Sequence, residues 1–291
     1  MKQDNIRVAV FGYGNIGKAV EEAVSVTNDM TLAGIFHHRE MESLLAAQPD
    51  IVLLGVPSRE VPQAAEQLLE KGLNTVDSFD IHTRIPEVHR CLNEVALAHK
   101  AVSILSAGWD PGSDSVVRAL MQALMPQGIT YTDFGPGRSM GHTVAAKHID
   151  GVKDALSMTI PLGTGIHRRM VYVEIEKGYS YNDVRDAILK DDYFAHDETH
   201  VIEVDNVKAL NNVAHGVHLS RNGVSGKTHN QRIEMTMNID NPALTGQIMV
   251  AAARAAMRMA QRQQFGCYTM IELAPVDLLE GNKEEWIQRL V

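Results

Sequence analysis

Short apolar runs recur along the first hundred residues, and each is followed by a stretch with helical spacing. Arg7 to Phe11 predicts a buried strand and Ile16 to Val26 a helix. Thr31 to Phe36 and Ile51 to Gly55 predict two more strands, with MESLLAA supporting one short helix between them. Val61 to Lys71 places Ala65, Leu68 and Leu69 at core spacing and meets Gly72 as a stop signal. Strand Asn74 to Asp77, helix Pro86 to His99 and strand Ala101 to Ser106 complete the series. Strands alternating with helices of this length imply an α/β fold, a parallel sheet covered on both faces.

The pattern changes after Gly112. A helix over Ser115 to Met125 leads into ITYTDF, LSMTI, RRMVYVEIE and RIEMTMNI, where apolar and polar residues partly alternate as in a half-solvated antiparallel sheet. One clear helix, Tyr181 to Leu189, interrupts them. Asn241-Pro242 then opens a long alanine-rich helix to about Gln263, Asn being a good N-cap and Pro a good first-turn residue. The division expected is residues 1–112 with 241–291 as one lobe, and 113–240 as a separate α+β lobe. Internal repeats and low-complexity segments are absent.

At 291 residues and 45% hydrophobic content, the chain can fill two cores. The net charge of −9, without basic runs, argues against nucleic acid or an anionic membrane as partner. Cys91 and Cys267 lie far apart and outside any paired motif, which disfavours a disulfide scaffold or structural zinc. The apolar run near the N-terminus is too short for a signal-peptide core, and no stretch is long enough to span a bilayer. These features predict a cytoplasmic protein.

Residues 12–17 read GYGNIG, directly after a predicted buried strand and at the start of a helix. In that setting Gly12 permits a tight turn, Gly14 lets the backbone approach a pyrophosphate, and Gly17 allows close helix–strand packing. A helix N-terminus adds unpaired N–H groups and the positive end of its dipole. The expectation is a Rossmann-type, doubly wound sheet that binds a dinucleotide. Tyr13, Asn15 and Ile16 belong to the same turn. Gly55-Val56-Pro57 and Ser78-Phe79-Asp80, which follow the third and fourth strands, complete the candidate cofactor surface.

The second strand ends in His37-His38-Arg39, with no carboxylate at the tip where an enzyme using NAD holds the ribose 2′-hydroxyl. Arg39 offers a fixed charge and a donor fork suited to a 2′-phosphate, and His38 a further donor. NADP is the cofactor predicted, with Glu40 the residue that fits this reading least.

Two carboxylates follow buried strands: Asp80 in TVDSFDIH and Asp110 in SAGWDPG. Paired acids beside a hydride acceptor suit an amine substrate, one carboxylate holding the ammonium group and one accepting its proton. On these grounds alone both equally fit turn-capping aspartates.

Together GYGNIG, VDSFDIH, SAGWDPG, FGPGRSMGH and the helix beginning NPAL resemble the meso-diaminopimelate dehydrogenase family, over essentially the whole chain and most closely its shorter-chain branch. The resemblance implies NADP-dependent oxidation of the D-centre of meso-2,6-diaminopimelate to the 2-amino-6-oxo acid and ammonia, reversible as reductive amination, by a homodimer. It places Asp80, Trp109 and Asp110 around the reacting D-centre, with Phe134 and Met140 shaping that end. Thr159, Arg169, His215 and Asn241 would hold the distal L-centre. The segment between Arg39 and Ile51 is shorter than is usual in the family.

Many of these residues also suit plainer roles. Arg169 adjoins Arg168, and either suits a surface charge. His215 with His218 suits structural histidines better than a metal pair, and so does His196 with His200, for want of Cys or carboxylate spacing. Asn241 suits an N-cap, and Trp109 and Phe134 suit core aromatics. Two other functions share the fold: an amine dehydrogenase for another diamino acid or for D-amino acids, and a non-catalytic dinucleotide sensor.

Overall fold

The structure, a computed structural model, describes residues 5–210 and 215–291, with the side chain of Met140 excepted. The chain divides into two compact units, Met1–Ala119 with Pro242–Val291, and Leu120–Asn241.

The first unit is built on β1 (Ile6–Phe11), α1 (Asn15–Ser25), β2 (Met30–Phe36), α2 (Met41–Ala46), β3 (Ile51–Leu54), α3 (Val61–Leu69), β4 (Asn74–Asp77), α4 (Ile85–His99) and β5 (Val102–Leu105), and the division falls within α5 (Ser113–Leu124). Its sheet is parallel throughout, in the order β13-β5-β4-β3-β1-β2, where β13 is Gly266–Thr269. Strand alternation sorts the core. Val8, Val10, Ile51 and Leu53 point into one buried cluster with Val20 and Met249, while Ala9, Phe11, Val52 and Leu54 point into another with Leu68 and Leu92. Both faces of β1 and β3 are therefore buried, which is why these runs read as continuous apolar segments. The chain turns to β2 on one side of β1 and to β3 on the other, so the glycine loop sits where the strand order reverses.

In the second unit, β7 (Gly137–Arg138), β8 (Val152–Gly163), β9 (Ile166–Ile175) and β10 (Glu198–Glu203) form a four-stranded sheet. Here α6 (Met140–Lys147) and α7 (Tyr181–Lys190) contribute Ala146, Val184 and Ile188 to a core with Val171 and Val173. A three-stranded antiparallel sheet contains β6 (Gln127–Phe134), β11 (His215–Ser225) and β12 (His229–Ile239). The long helix α8 (Asn241–Gln261) runs almost wholly in the first unit, burying Ala252, Ala253, Ala255 and Ala256.

Several elements differ from those the sequence pattern predicts. The middle region holds a second helix, α6, whose eight residues include Gly141 and Thr143 and show little amphipathic patterning. Its larger sheet is mixed, since β10 runs parallel to β9. The strands β10, β11 and β13 are hidden by the polar and glycine positions of ETHVIE, HGVHLSRNGVS and GCYT, which only tertiary pairing organises.

Candidate active site

The three glycines of the loop after β1 are needed for different reasons. A Cβ on Gly12, whose φ is +95°, would lie 2.8 Å from the Gly55 carbonyl carbon. One on Gly17 would lie 2.1 Å from the Gly12 carbonyl oxygen. Packing of β1, α1 and the loop after β3 imposes both. Gly14 differs, because a Cβ there would meet nothing nearer than the Gly55 oxygen at 3.9 Å. Gly14 is exposed, and α1 behind it has no side-chain cap and no acidic residue in its first turn. An open backbone at an uncapped helix N-terminus fits a dinucleotide pyrophosphate.

At the end of β2, Arg39 is exposed. Glu40 is tied into its own turn: its carboxylate accepts the His37 N–H at 2.8 Å, and its N–H donates to the His37 carbonyl at 2.8 Å. The acidic residue that fitted a 2′-phosphate least is thereby engaged locally, and Arg39 forms no ion pair among the described residues. Tyr13 is exposed, with its hydroxyl on Glu21 and Lys18 5.9 Å from its ring centre.

Asp80 and Asp110 lie beyond the carboxyl ends of β4 and β5, which are paired neighbours. Asp80 is exposed; its carboxylate accepts from the Ser58 hydroxyl at 2.6 Å, and its N–H donates to the same oxygen at 3.3 Å. Asp110 is half-buried and accepts from Arg118 of α5 at 2.7 Å. The same nitrogen reaches Asp114 at 3.3 Å. Burial, and then the charge of Asp110, pushes the Asp114 carboxyl up to about 7. Trp109 is buried, with 3% exposure.

Asp77, which no motif singled out, connects the two carboxylate-bearing loops. Its buried carboxylate accepts the N–H of Phe79 at 2.9 Å and of Ser106 at 3.0 Å, and its carbonyl accepts the Ala107 N–H at 2.6 Å. Ser106 holds φ at +60°, a conformation that these bonds fix. Burial raises the Asp77 carboxyl to about 6 despite the two N–H donors that lower it. Its position at the end of a buried strand was the available signal.

In the second unit, Thr159 of β8 and Arg169 of β9 are directly paired across the ladder. Arg169 donates from Nη1 to the Thr159 hydroxyl and from Nε to Asp197 at 2.7 Å. Arg168, on the opposite side of the strand, pairs with exposed Glu198. Of the two arginines, Arg168 is therefore the surface charge, and the Arg169 side chain is 13% exposed.

Around Arg169 stand histidines whose charged form is disfavoured. Burial, and then the Arg169 charge, pushes His142 down to about 4; its Nδ1 lies 2.8 Å from the Ser139 hydroxyl. The same causes lower His167, whose Nε2 accepts the Phe134 N–H at 2.8 Å. The Phe134 ring lies tilted, 5.8 Å from the His167 ring and 6.4 Å from that of His215. His218, in contrast, is bound to Thr236 and Glu234 at the surface, and His200 to Glu198. Among the described residues no three His, Cys, Asp or Glu are grouped to hold a metal. Asn241 is the first residue of α8, and the Met140 side chain lies outside the described residues.

Residues 108–168 match the family model described as the diaminopimelic acid dehydrogenase C-terminal domain. The chain is 53% identical to a meso-diaminopimelate D-dehydrogenase of Bacteroides fragilis, over 98% of this chain and 99% of that protein. It is 31% identical to the enzyme of the same name from Corynebacterium glutamicum, over 98% and 99% of the two chains. Among solved structures, a C. glutamicum diaminopimelate dehydrogenase in complex with diaminopimelate superposes with a TM-score of 0.92 at 30% identity, covering 99% of this chain and 100% of that one. An engineered D-amino acid dehydrogenase bound to NADP+ gives 0.88 at 30% identity, with the same coverage.

Proposed function

The chain belongs to the meso-diaminopimelate D-dehydrogenase family, and on that premise we propose that it oxidises the D-centre of meso-2,6-diaminopimelate with NADP. The products are L-2-amino-6-oxopimelate and ammonia, and the reaction runs in reverse as reductive amination. The observation that carries the reading is the carboxylate pair, Asp80 and Asp110, at the ends of adjacent parallel strands in the sheet that bears the glycine loop.

The nicotinamide, when bound, accepts the hydride from the reacting Cα. Gly12, Tyr13, Gly14, Asn15 and Ile16 would take the pyrophosphate, and His37, His38 and Arg39 the 2′-phosphate. Gly55, Val56, Pro57, Ser78, Phe79 and Asp80 would line the rest of the cofactor. Arg118 keeps a cation on Asp110, which suits that carboxylate to holding the ammonium group. Among the described residues Asp80 meets a hydroxyl donor and an exposed surface, which suits it to removing the amine proton, directly or through water. Water then adds to the imine carbon and ammonia leaves.

Trp109, with Phe134 and Met140, would enclose the reacting end. Thr159, Arg169, His215 and Asn241 would take the distal amino-acid group, Arg169 facing its carboxylate. Registering the distal end fixes which Cα–H is presented for transfer, which is how an achiral three-carbon spacer yields chiral selection.

A homodimer and a cytoplasmic location complete the proposal. The free thiols of Cys91 and Cys267 suit the cytoplasmic location. No helix among the described residues is long and apolar enough to cross a membrane.

The test is NADPH formation followed by absorbance, with meso-, LL- and DD-diaminopimelate, each with NADP and NAD. Turnover of the meso isomer with NADP and little with LL is expected. Turnover of simple D-amino acids alone would remove the distal assignments. Cofactor binding without turnover of any isomer would leave a sensor.

A further inference from the structure

We infer that Asp197 is a positioning residue that sets the enzyme's preference for a substrate with a distal carboxylate, by fixing the guanidinium of Arg169. The inference rests on the reading that Arg169 takes that carboxylate.

An arginine presents five N–H donors in a planar fork, and its value to a carboxylate depends on which edge is left available. Here two donors are committed. The Nε–H goes to Asp197 at 2.7 Å, and one Nη1 hydrogen goes to the Thr159 hydroxyl. Among the described residues Nη2 has no partner, so the guanidinium keeps donors available for a carboxylate. A guanidinium held at one point can swing about that bond. Held on two sides, by an acceptor on the neighbouring strand and one on the turn before β10, it presents one edge in one direction.

Asp197 is itself well placed to do this. The segment Asp191 to Thr199 is braced by the N–H groups of Phe194 and Ala195 on the Asp191 carbonyl, and by the Asp197 N–H on Phe194. Thr199 closes the turn, its hydroxyl donating to the carbonyls of Phe194 and Asp197. Phe194 is 1% exposed and anchors the segment in the core. The Arg169 and Asp197 side chains are 13% and 28% exposed, so water competes only partly for the pair. Neighbouring His142 and His167 are disfavoured as cations, which leaves Arg169 as the fixed positive charge of the cluster.

The experiment compares Asp197→Ala, Asp197→Asn and Arg169→Met with the parent, measuring kcat and KM for meso-diaminopimelate and the dissociation constant of NADP. Asp197→Ala removes the acceptor and is expected to raise KM about tenfold or more, with kcat changed far less and NADP affinity within twofold. Asp197→Asn retains an acceptor oxygen and restores KM to within about threefold of the parent. Arg169→Met raises KM at least as much as Asp197→Ala.

An unchanged KM in Asp197→Ala, with Arg169→Met impaired, overturns the role of Asp197 and leaves that of Arg169 standing. Equal losses in the Ala and Asn variants overturn positioning in favour of charge alone. Loss of NADP affinity together with KM in Asp197→Ala overturns it in favour of a folding defect. An unimpaired Arg169→Met refutes the underlying assignment of Arg169 itself.

Discussion

Arg118 donates to the Asp110 carboxylate at 2.7 Å, from the helix that follows Asp110 in the chain. A hydrogen bond to a charged group contributes about 1.5–3 kcal/mol, so this contact holds the carboxylate in one orientation rather than merely near one. Replacing Arg118 with Met is expected to lower kcat/KM about ten- to a hundredfold, with NADP affinity within twofold. Steady-state kinetics beside a cofactor titration checks it; full activity in the variant would mean that Asp110 needs no cation beside it.

Two glycine substitutions separate folding from binding. Gly17→Ala places a methyl 2.1 Å from the Gly12 oxygen, and is expected to lower the melting temperature by about 5 °C or more. Gly14→Ala meets nothing within 3.9 Å, and is expected to fold normally while weakening NADP about tenfold. Thermal melting and NADP titration distinguish the two. A Gly14→Ala protein that binds NADP like the parent would remove the pyrophosphate from this loop.

Arg39→Ala is expected to raise KM for NADP about tenfold or more and leave KM for NAD within twofold, because only NADP carries the 2′-phosphate. Glu40 is engaged with the His37 N–H, so Glu40→Gln is expected to change the ratio little. Kinetics with both cofactors checks the pair. Equal weakening of NADP and NAD in Arg39→Ala would place Arg39 elsewhere on the cofactor.

Asp77 makes stability depend on pH. Its carboxyl is raised from 3.8 to about 6 by burial, so the folded chain holds the proton more tightly than the unfolded one. The contribution to stability is fully present below pH 3.8, falls as pH rises towards 6, and is absent above it. At about 1.4 kcal/mol per pH unit, ionising this buried group costs about 3 kcal/mol at neutral pH. Asp77→Asn keeps an acceptor for Phe79 and Ser106 without the charge. The melting temperature of the variant relative to the parent is expected to be near zero at about pH 4, to rise to about pH 6, and then to stay level. A flat difference across that range would show that Asp77 carries no such penalty.

The central strands of the parallel sheet were legible because they are buried on both faces. Val8 to Phe11 and Ile51 to Leu54 are uninterrupted apolar runs whose neighbours on either side carry turn or helix signals. The short helix Met140–Lys147 and the edge strands Glu198–Glu203 and Gly266–Thr269 were not, because their partners, rather than their own periodicity, hold them. The candidate site divides in the same way. Asp80 and Asp110 stand in distinctive segments after strands, whereas Arg118, Asp77 and Asp197 act through other side chains or the backbone. Such supporting contacts join residues 8, 29 and 28 positions apart, and no local spacing announces them.

Hydride transfer from the D-centre to NADP is tested most directly by meso-diaminopimelate carrying deuterium at one α-carbon, in two preparations labelled at the D- or the L-centre. The reduced cofactor and the amino-oxo product are analysed by mass spectrometry. The D-labelled substrate is expected to deliver its deuterium to NADPH, and the L-labelled substrate to retain it in the product. Deuterium reaching NADPH from the L-centre, or from neither, would contradict the account.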